Sequence, residues 1–137
     1  MADKLKADYP DTIFDGVCFV PMTDLAVRKR GYNQSELLAK AVAKQLKLPL
    51  VPCLDKTKDS LNQKTLNAEQ RLENIKESFS VTENKQIKDK TLILCDDIKT
   101  TGATLKECYD ALIRAGARDV YCLCLAVTPY LNETDIF

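Results

Sequence analysis

The chain has 137 residues, 45% of them hydrophobic and 29% charged, with twenty cationic and twenty anionic side chains and no histidine. This size and balance predict one folded domain with a buried core, and no apolar run approaches the length of a membrane-spanning helix, so membrane insertion is not expected. Neutrality argues against wholesale coating of nucleic acid, which needs many cations, and the lack of histidine excludes Ser-His and Cys-His nucleophiles and any histidine metal site within the chain. The start, MADKLKADYPD, has no apolar signal core, so a cytoplasmic location is expected.

In chain order, residues 2–9 read as the last turns of a helix, and residues 16–20 as a short buried strand that stops at Pro21. Residues 22–32 read as a polar loop. Asn33, with Glu36 three residues later, predicts a capping-box start for a helix whose apolar face is Leu37, Leu38, Ala41, Val42 and Leu46, ended by Pro49. Residues 50–54 form a candidate edge strand, since Pro52 removes a ladder donor. Residues 55–74 are polar, with Asn67 and Gln70 as caps of a short helix, and Phe79 and Val81 begin another extended piece. Residues 91–95 are the next strand. Residues 103–115 are a helix with Leu105, Cys108, Tyr109 and Leu112 on one face, closed by Gly116 in the left-handed region, and residues 120–127 are a final apolar strand. Strands alternating with helices predict an α/β fold, a mostly parallel sheet flanked by helices.

Six cysteines, at 18, 53, 95, 108, 122 and 124, include no CxxC pair, so buried reduced thiols are expected rather than disulfides or a zinc site. Cys122 and Cys124 lie two apart on a strand and face the same way.

The chemistry is concentrated in residues 92–104, LILCDDIKTTGAT. In an open α/β sheet, ligands gather beyond the carboxyl ends of strands, where loops lead into helix N-termini. Asp96 and Asp97 supply adjacent acceptors suited to the two hydroxyls of a ribose. Thr100, Thr101, Gly102, Ala103 and Thr104 bring hydroxyl donors, a residue that lets backbone approach closely, and the amides of a starting helix, which together favour a phosphate. The bland alternative is a strand-to-helix turn whose acids and threonines only solvate and cap the helix. The Gly-Lys-Ser/Thr ending of a P-loop is absent.

This string resembles the phosphoribosyl pyrophosphate motif of type I phosphoribosyltransferases. Val20-Pro21, Arg30-Gly31-Tyr32-Asn33-Gln34, Gln63, Arg71 and Asn74 follow the order of elements in the ComF (ComFC) family of competence-associated phosphoribosyltransferase-like proteins, and the chain is identified as a member of it from about residue 17 to residue 127. The resemblance implies a type I phosphoribosyltransferase-like fold and a DNA uptake setting. It implies a site in which Asp96, Asp97, Lys99, Thr100, Thr101, Gly102, Ala103 and Thr104 bind phosphoribosyl pyrophosphate with Mg²⁺. Asp96, Asp97 and Arg71 would then act in catalysis, with Arg71 and Asn74 on a loop that closes over substrate. It also implies an upstream cysteine-rich zinc-binding region not contained here, so residues 1–137 are expected to be a single phosphoribosyltransferase-like domain of a longer protein.

Three readings stay open for Arg28, Lys29, Arg30 and Gly31: the pyrophosphate side of the pocket, a DNA backbone contact, or a solvated basic loop. Lys99, where the family is usually apolar or aromatic, either faces solvent or meets a phosphate. Asn33 and Gln34 either touch ligand or cap the helix. Two functions fit: transfer of a phosphoribosyl group with release of pyrophosphate, or a non-catalytic accessory role in which the chain binds single-stranded DNA and competence proteins. A nucleotide-salvage transferase, with Tyr130 stacking on a purine, is a weaker third.

Overall fold

A computed structural model describes residues 2–56, 79–82, 87–99 and 102–127. Its centre is made by β4 (Thr91–Lys99), which pairs in parallel with β1 (Gly16–Phe19) on one side and β5 (Asp119–Val127) on the other. Side chains alternate across a strand, so successive residues of β4 serve different layers. Ile93 and Cys95 join Val17 under α3 (Gln34–Leu46), against Ala39, Val42 and Ala43. Leu92 and Leu94 join Cys18 under α4 (Ala103–Arg114), against Leu105, Cys108, Ala111 and Leu112. Both faces of the parallel sheet are thus covered, as its continuous apolar strands require. Fully burying a leucine such as Leu94 or Leu112 contributes on the order of 2 kcal/mol.

Around this centre, α1 (Ala2–Asp8) sends Leu5 into the α3 layer, and Tyr9 and Phe14 pack edge-on against Tyr121 of β5. Asp15 starts β4: its carboxylate accepts the Thr91 N–H at 2.8 Å while its own N–H donates to the Thr91 carbonyl at 2.7 Å. Gly116, at φ 104°, makes the left-handed turn expected after α4. None of the six cysteines is in a disulfide, four of them are buried, and Cys122 and Cys124 share the face of β5 that packs toward α4.

Four expectations change. Within the stretch read as a loop, Asp24–Arg30 forms a helix, α2: Thr23 caps it by accepting the Ala26 N–H at 3.2 Å, and Gly31 ends it at φ 92° with its N–H on the Val27 carbonyl. Open space surrounds the Gly31 Cα, so the left-handed conformation, and not crowding, is what calls for glycine there. The strand expected at 50–54 shrinks to a single parallel bridge between Leu50 and Val17, because Pro49 and Pro52 have no N–H to extend a ladder and Cys53 N–H turns back onto the Val51 carbonyl. The chain then leaves the main sheet, and β2 (Leu54–Lys56) pairs antiparallel with β3 (Phe79–Val81).

Within α3 the buried stripe is Ser35, Ala39, Val42 and Ala43, and Leu37 is left 52% exposed. The helix closes at Lys47, before Pro49, in a left-handed conformation. Finally, β4 does not stop at Cys95. It continues through both acids, with Asp96 opposite Cys124 of β5. The expected helix capped by Asn67 and Gln70 lies outside the described residues.

Candidate functional site

After β1 and the short α2, the chain returns to the end of β1 to begin α3, and Asn33 makes that junction. Its side-chain N–H donates to the Val20 carbonyl at 3.1 Å, and its Oδ1 accepts the N–H groups of Ser35 at 3.0 Å and Glu36 at 3.4 Å. Asn33 is therefore the cap that its position suggested, buried against the strand it follows. The reciprocal half of the capping box is not made, since Glu36 instead lies 3.3 Å from Lys40. Gln34 is exposed at the first position of the helix.

This capped turn delivers Ser35 to the acidic pair. The Ser35 hydroxyl donates to Asp96 Oδ1 at 2.9 Å, and its oxygen lies 3.3 Å from the Asp97 N–H, which also donates to Asp96 Oδ1 at 2.9 Å. Asp96 is only 9% exposed, whereas Asp97 is half-buried. Burial pushes the Asp96 carboxyl up to about 6; the Ser35 hydrogen bond pulls the other way, and the Asp97 carboxyl, close enough to share a proton with it, adds to the rise. The adjacent thiols stay protonated at neutral pH, because burial drives Cys95 up to about 12 and Cys108 further still. Sequence reasoning missed Ser35: one hydroxyl in a first helical turn carries no signal of a partner 61 residues away.

After Lys99 the chain enters α4 through Gly102, at φ 78°, where a side chain would be strained. Gly102 has no side chain, so unlike Asn33 at the start of α3 it makes no side-chain cap. Ala103 and Thr104 open this helix, half-buried. The structure thus brings Asp96, Asp97, Gly102, Ala103 and Thr104 along one strand-to-helix path. The Lys99 side chain and residues Gln63, Arg71, Asn74, Thr100, Thr101 and Tyr130 lie outside what is described. Arg28, Lys29 and Arg30 stand exposed in the last turn of α2, where cations suit the negative end of the helix, and no hydrogen bond or ion pair among the described residues ties them to the acids. Among the described residues no group of three or more acids, cysteines or histidines is arranged to hold a metal, and no helix is long and apolar enough to cross a membrane.

Comparison with known proteins accords with this arrangement. The phosphoribosyl transferase domain family matches residues 32–134. Competence protein F of Haemophilus influenzae is 32% identical over 74% of this chain and 45% of its own length. The DNA utilization protein YhgH of Escherichia coli K12 is 30% identical over 80% of this chain and 49% of its own, and competence protein ComFC of Bacillus subtilis is 34% identical over 79% and 42%. The chain therefore spans about half the length of the curated relatives it matches. Among solved structures, an adenine phosphoribosyltransferase superposes with a TM-score of 0.65 at 18% identity, covering 99% of this chain and 72% of that one. The adenine phosphoribosyltransferase of Saccharomyces cerevisiae gives 0.63 at 16% identity, covering 99% and 70%. The α/β core has a type I phosphoribosyltransferase-like fold, and the chain belongs to the phosphoribosyl transferase domain family.

Proposed function

We propose that this domain binds phosphoribosyl pyrophosphate as its magnesium complex and transfers the phosphoribosyl group, within a cytoplasmic protein that serves DNA uptake or use. The observation that carries the reading is the continuity of β4, Asp96–Asp97 and the Gly102-opened helix α4. Asp96 and Asp97 accept the ribose 2- and 3-hydroxyls, while the amides and hydroxyls of residues 100–104 take the 5-phosphate. Magnesium bound with the substrate would supply positive charge that offsets the charge developing on the departing diphosphate. In the transfer, the bond from ribose C1 to the diphosphate oxygen breaks as an acceptor nucleophile bonds to C1. The diphosphate leaves with the electron pair, and C1 passes through a cation-like state. The chain's contribution is to fix the ribose between the acids and the phosphate loop, with Arg71 assigned to the leaving diphosphate.

Titration calorimetry with phosphoribosyl pyrophosphate and Mg²⁺ tests the binding. Wild type should bind, and Asp96→Asn/Asp97→Asn should lose at least about a hundredfold in affinity, since two charged hydrogen-bond acceptors are removed. Failure of wild type to bind would end this reading.

A second reading, an accessory DNA-binding role, draws on the exposed Arg28, Lys29 and Arg30 and on relatives named for competence and DNA utilization. Backbone contacts by these residues require affinity for single-stranded DNA that falls with salt and is weakened by Arg28→Ala/Arg30→Ala. Affinity that neither salt nor this variant changes counts against it.

A further inference from the structure

We infer that Ser35 is a positioning residue of the ribose site: its hydroxyl holds the Asp96 carboxylate by one oxygen, so that the other is presented to the ligand. The inference deepens the proposed binding of a ribose phosphate and rests on it. Its basis is geometric. Asp96 Oδ1 receives two hydrogen bonds, from the Ser35 hydroxyl at 2.9 Å and from the Asp97 N–H at 2.9 Å, and no hydrogen bond from the protein backbone or a neutral side chain is assigned to Oδ2 among the described residues. Ser35 can do this because its own backbone is pinned: its N–H is taken by Asn33 at 3.0 Å, and Asn33 is in turn anchored to the Val20 carbonyl at 3.1 Å. A chain of three hydrogen bonds thus runs from the end of β1, through the cap of α3, to the acid on β4.

The electrostatics give this contact a second consequence. Asp96 is nine-tenths buried beside the Asp97 carboxyl, an arrangement that favours one shared proton over two negative charges. A vicinal diol supplies two O–H donors in place of that shared proton, so binding requires Asp96 to ionise. The Ser35 O–H favours the ionised form of Asp96. Among the described residues, the groups facing Asp96 are Asp97 and Cys95 on its own strand, Ser35 on α3, Cys108 on α4 and Cys124 opposite on β5, and Asp97 is the one carboxylate among them.

The test compares wild type, Ser35→Ala and Ser35→Thr in two measurements: affinity for Mg²⁺–phosphoribosyl pyrophosphate from pH 5.5 to 8.5, and titration of the Asp96 carboxyl carbon by NMR in the ligand-free protein. Loss of one charge-assisted hydrogen bond raises the Asp96 titration by about one pH unit. Ser35→Ala should then bind about fivefold more weakly near pH 6 and less than about twofold more weakly at pH 8, with Ser35→Thr close to wild type. The ligand's own phosphate titration cancels in the ratio. Equal weakening at every pH, with the Asp96 titration unmoved, overturns the inference while leaving the proposed function intact. If wild type binds no ligand, the proposed function falls; an unmoved Asp96 titration in Ser35→Ala then overturns the tether as well, and an upward shift upholds it as the group that keeps Asp96 ionised.

Discussion

Two helices begin near the carboxyl ends of β1 and β4, and they treat their first turns in opposite ways. At α3, Asn33 covers the amides of Ser35 and Glu36, and the turn is locked to Val20 on one side and Asp96 on the other. At α4, Gly102 occupies the cap position with no side chain to offer. The first end is closed by a side-chain cap, and the second is opened by a glycine whose left-handed backbone no other residue adopts as easily. Under the proposed function, the first end holds the acid pair and the second meets the phosphate, and a ribose phosphate has need of both.

Substitution at the second end should have the largest effect. Gly102→Val forces a β-branched side chain to φ 78° and, under the proposed function, fills the approach to the phosphate, so affinity for Mg²⁺–phosphoribosyl pyrophosphate should fall by about a hundredfold, with a stability cost of ~1–2 kcal/mol. Unchanged affinity would mean that the two helix ends do not differ in function. At the first end the damage should be structural. Asn33→Ala removes a buried cap and a bond to Val20, costing about 2 kcal/mol in urea unfolding, and the capping account fails if the cost is under about 0.5 kcal/mol.

The smallest effect separates the buried acid from its setting. The Asp96 carboxyl titrates near 6 in the folded chain against 3.8 when unfolded, so the folded state holds the extra proton between those values. The stability this proton confers is complete below about pH 4 and is lost as pH rises through about 6. Asp96→Asn keeps the acceptor for Ser35 without the charge. It should be more stable than wild type by about 1–2 kcal/mol at pH 7.5, and the difference should close below about pH 4. Unfolding curves that run parallel from pH 4 to 8 would refute the assignment.

The layers of the fold were legible in the sequence because burial leaves a period. Residues 16–20, 91–95 and 120–127 are apolar runs, α4 repeats Leu105, Cys108 and Leu112 at helical spacing, and the structure buries each of these helix residues. Asp96, Asp97 and Gly102 were legible because their order in the chain is also their order in space. What escaped notice depended on partners far along the chain or on short-range caps. α2 is brief and mostly polar, and is defined by Thr23 and Gly31, not by an apolar stripe. A pair of acids reads as the end of a strand, yet β4 continues because β5 supplies its ladder opposite Asp96. Ser35 depended on a contact across the molecule, and the burial of Ala39 and Ala43 in place of Leu37 depended on how closely α3 approaches the sheet.

The thiols sealed between sheet and helices carry one more consequence. Cys18, Cys53, Cys95 and Cys108 have no exposed surface, and Cys18 is raised well above an ordinary thiol, first by its hydrogen bond with Cys53 and then by burial. A thiol must be both reachable and ionised to react; none of these four is reachable while the layers are closed, and Cys18, Cys95 and Cys108 are held protonated as well. An alkylating reagent that modifies them therefore clocks the opening of the protein interior, giving the chain a built-in stopwatch for its own breathing.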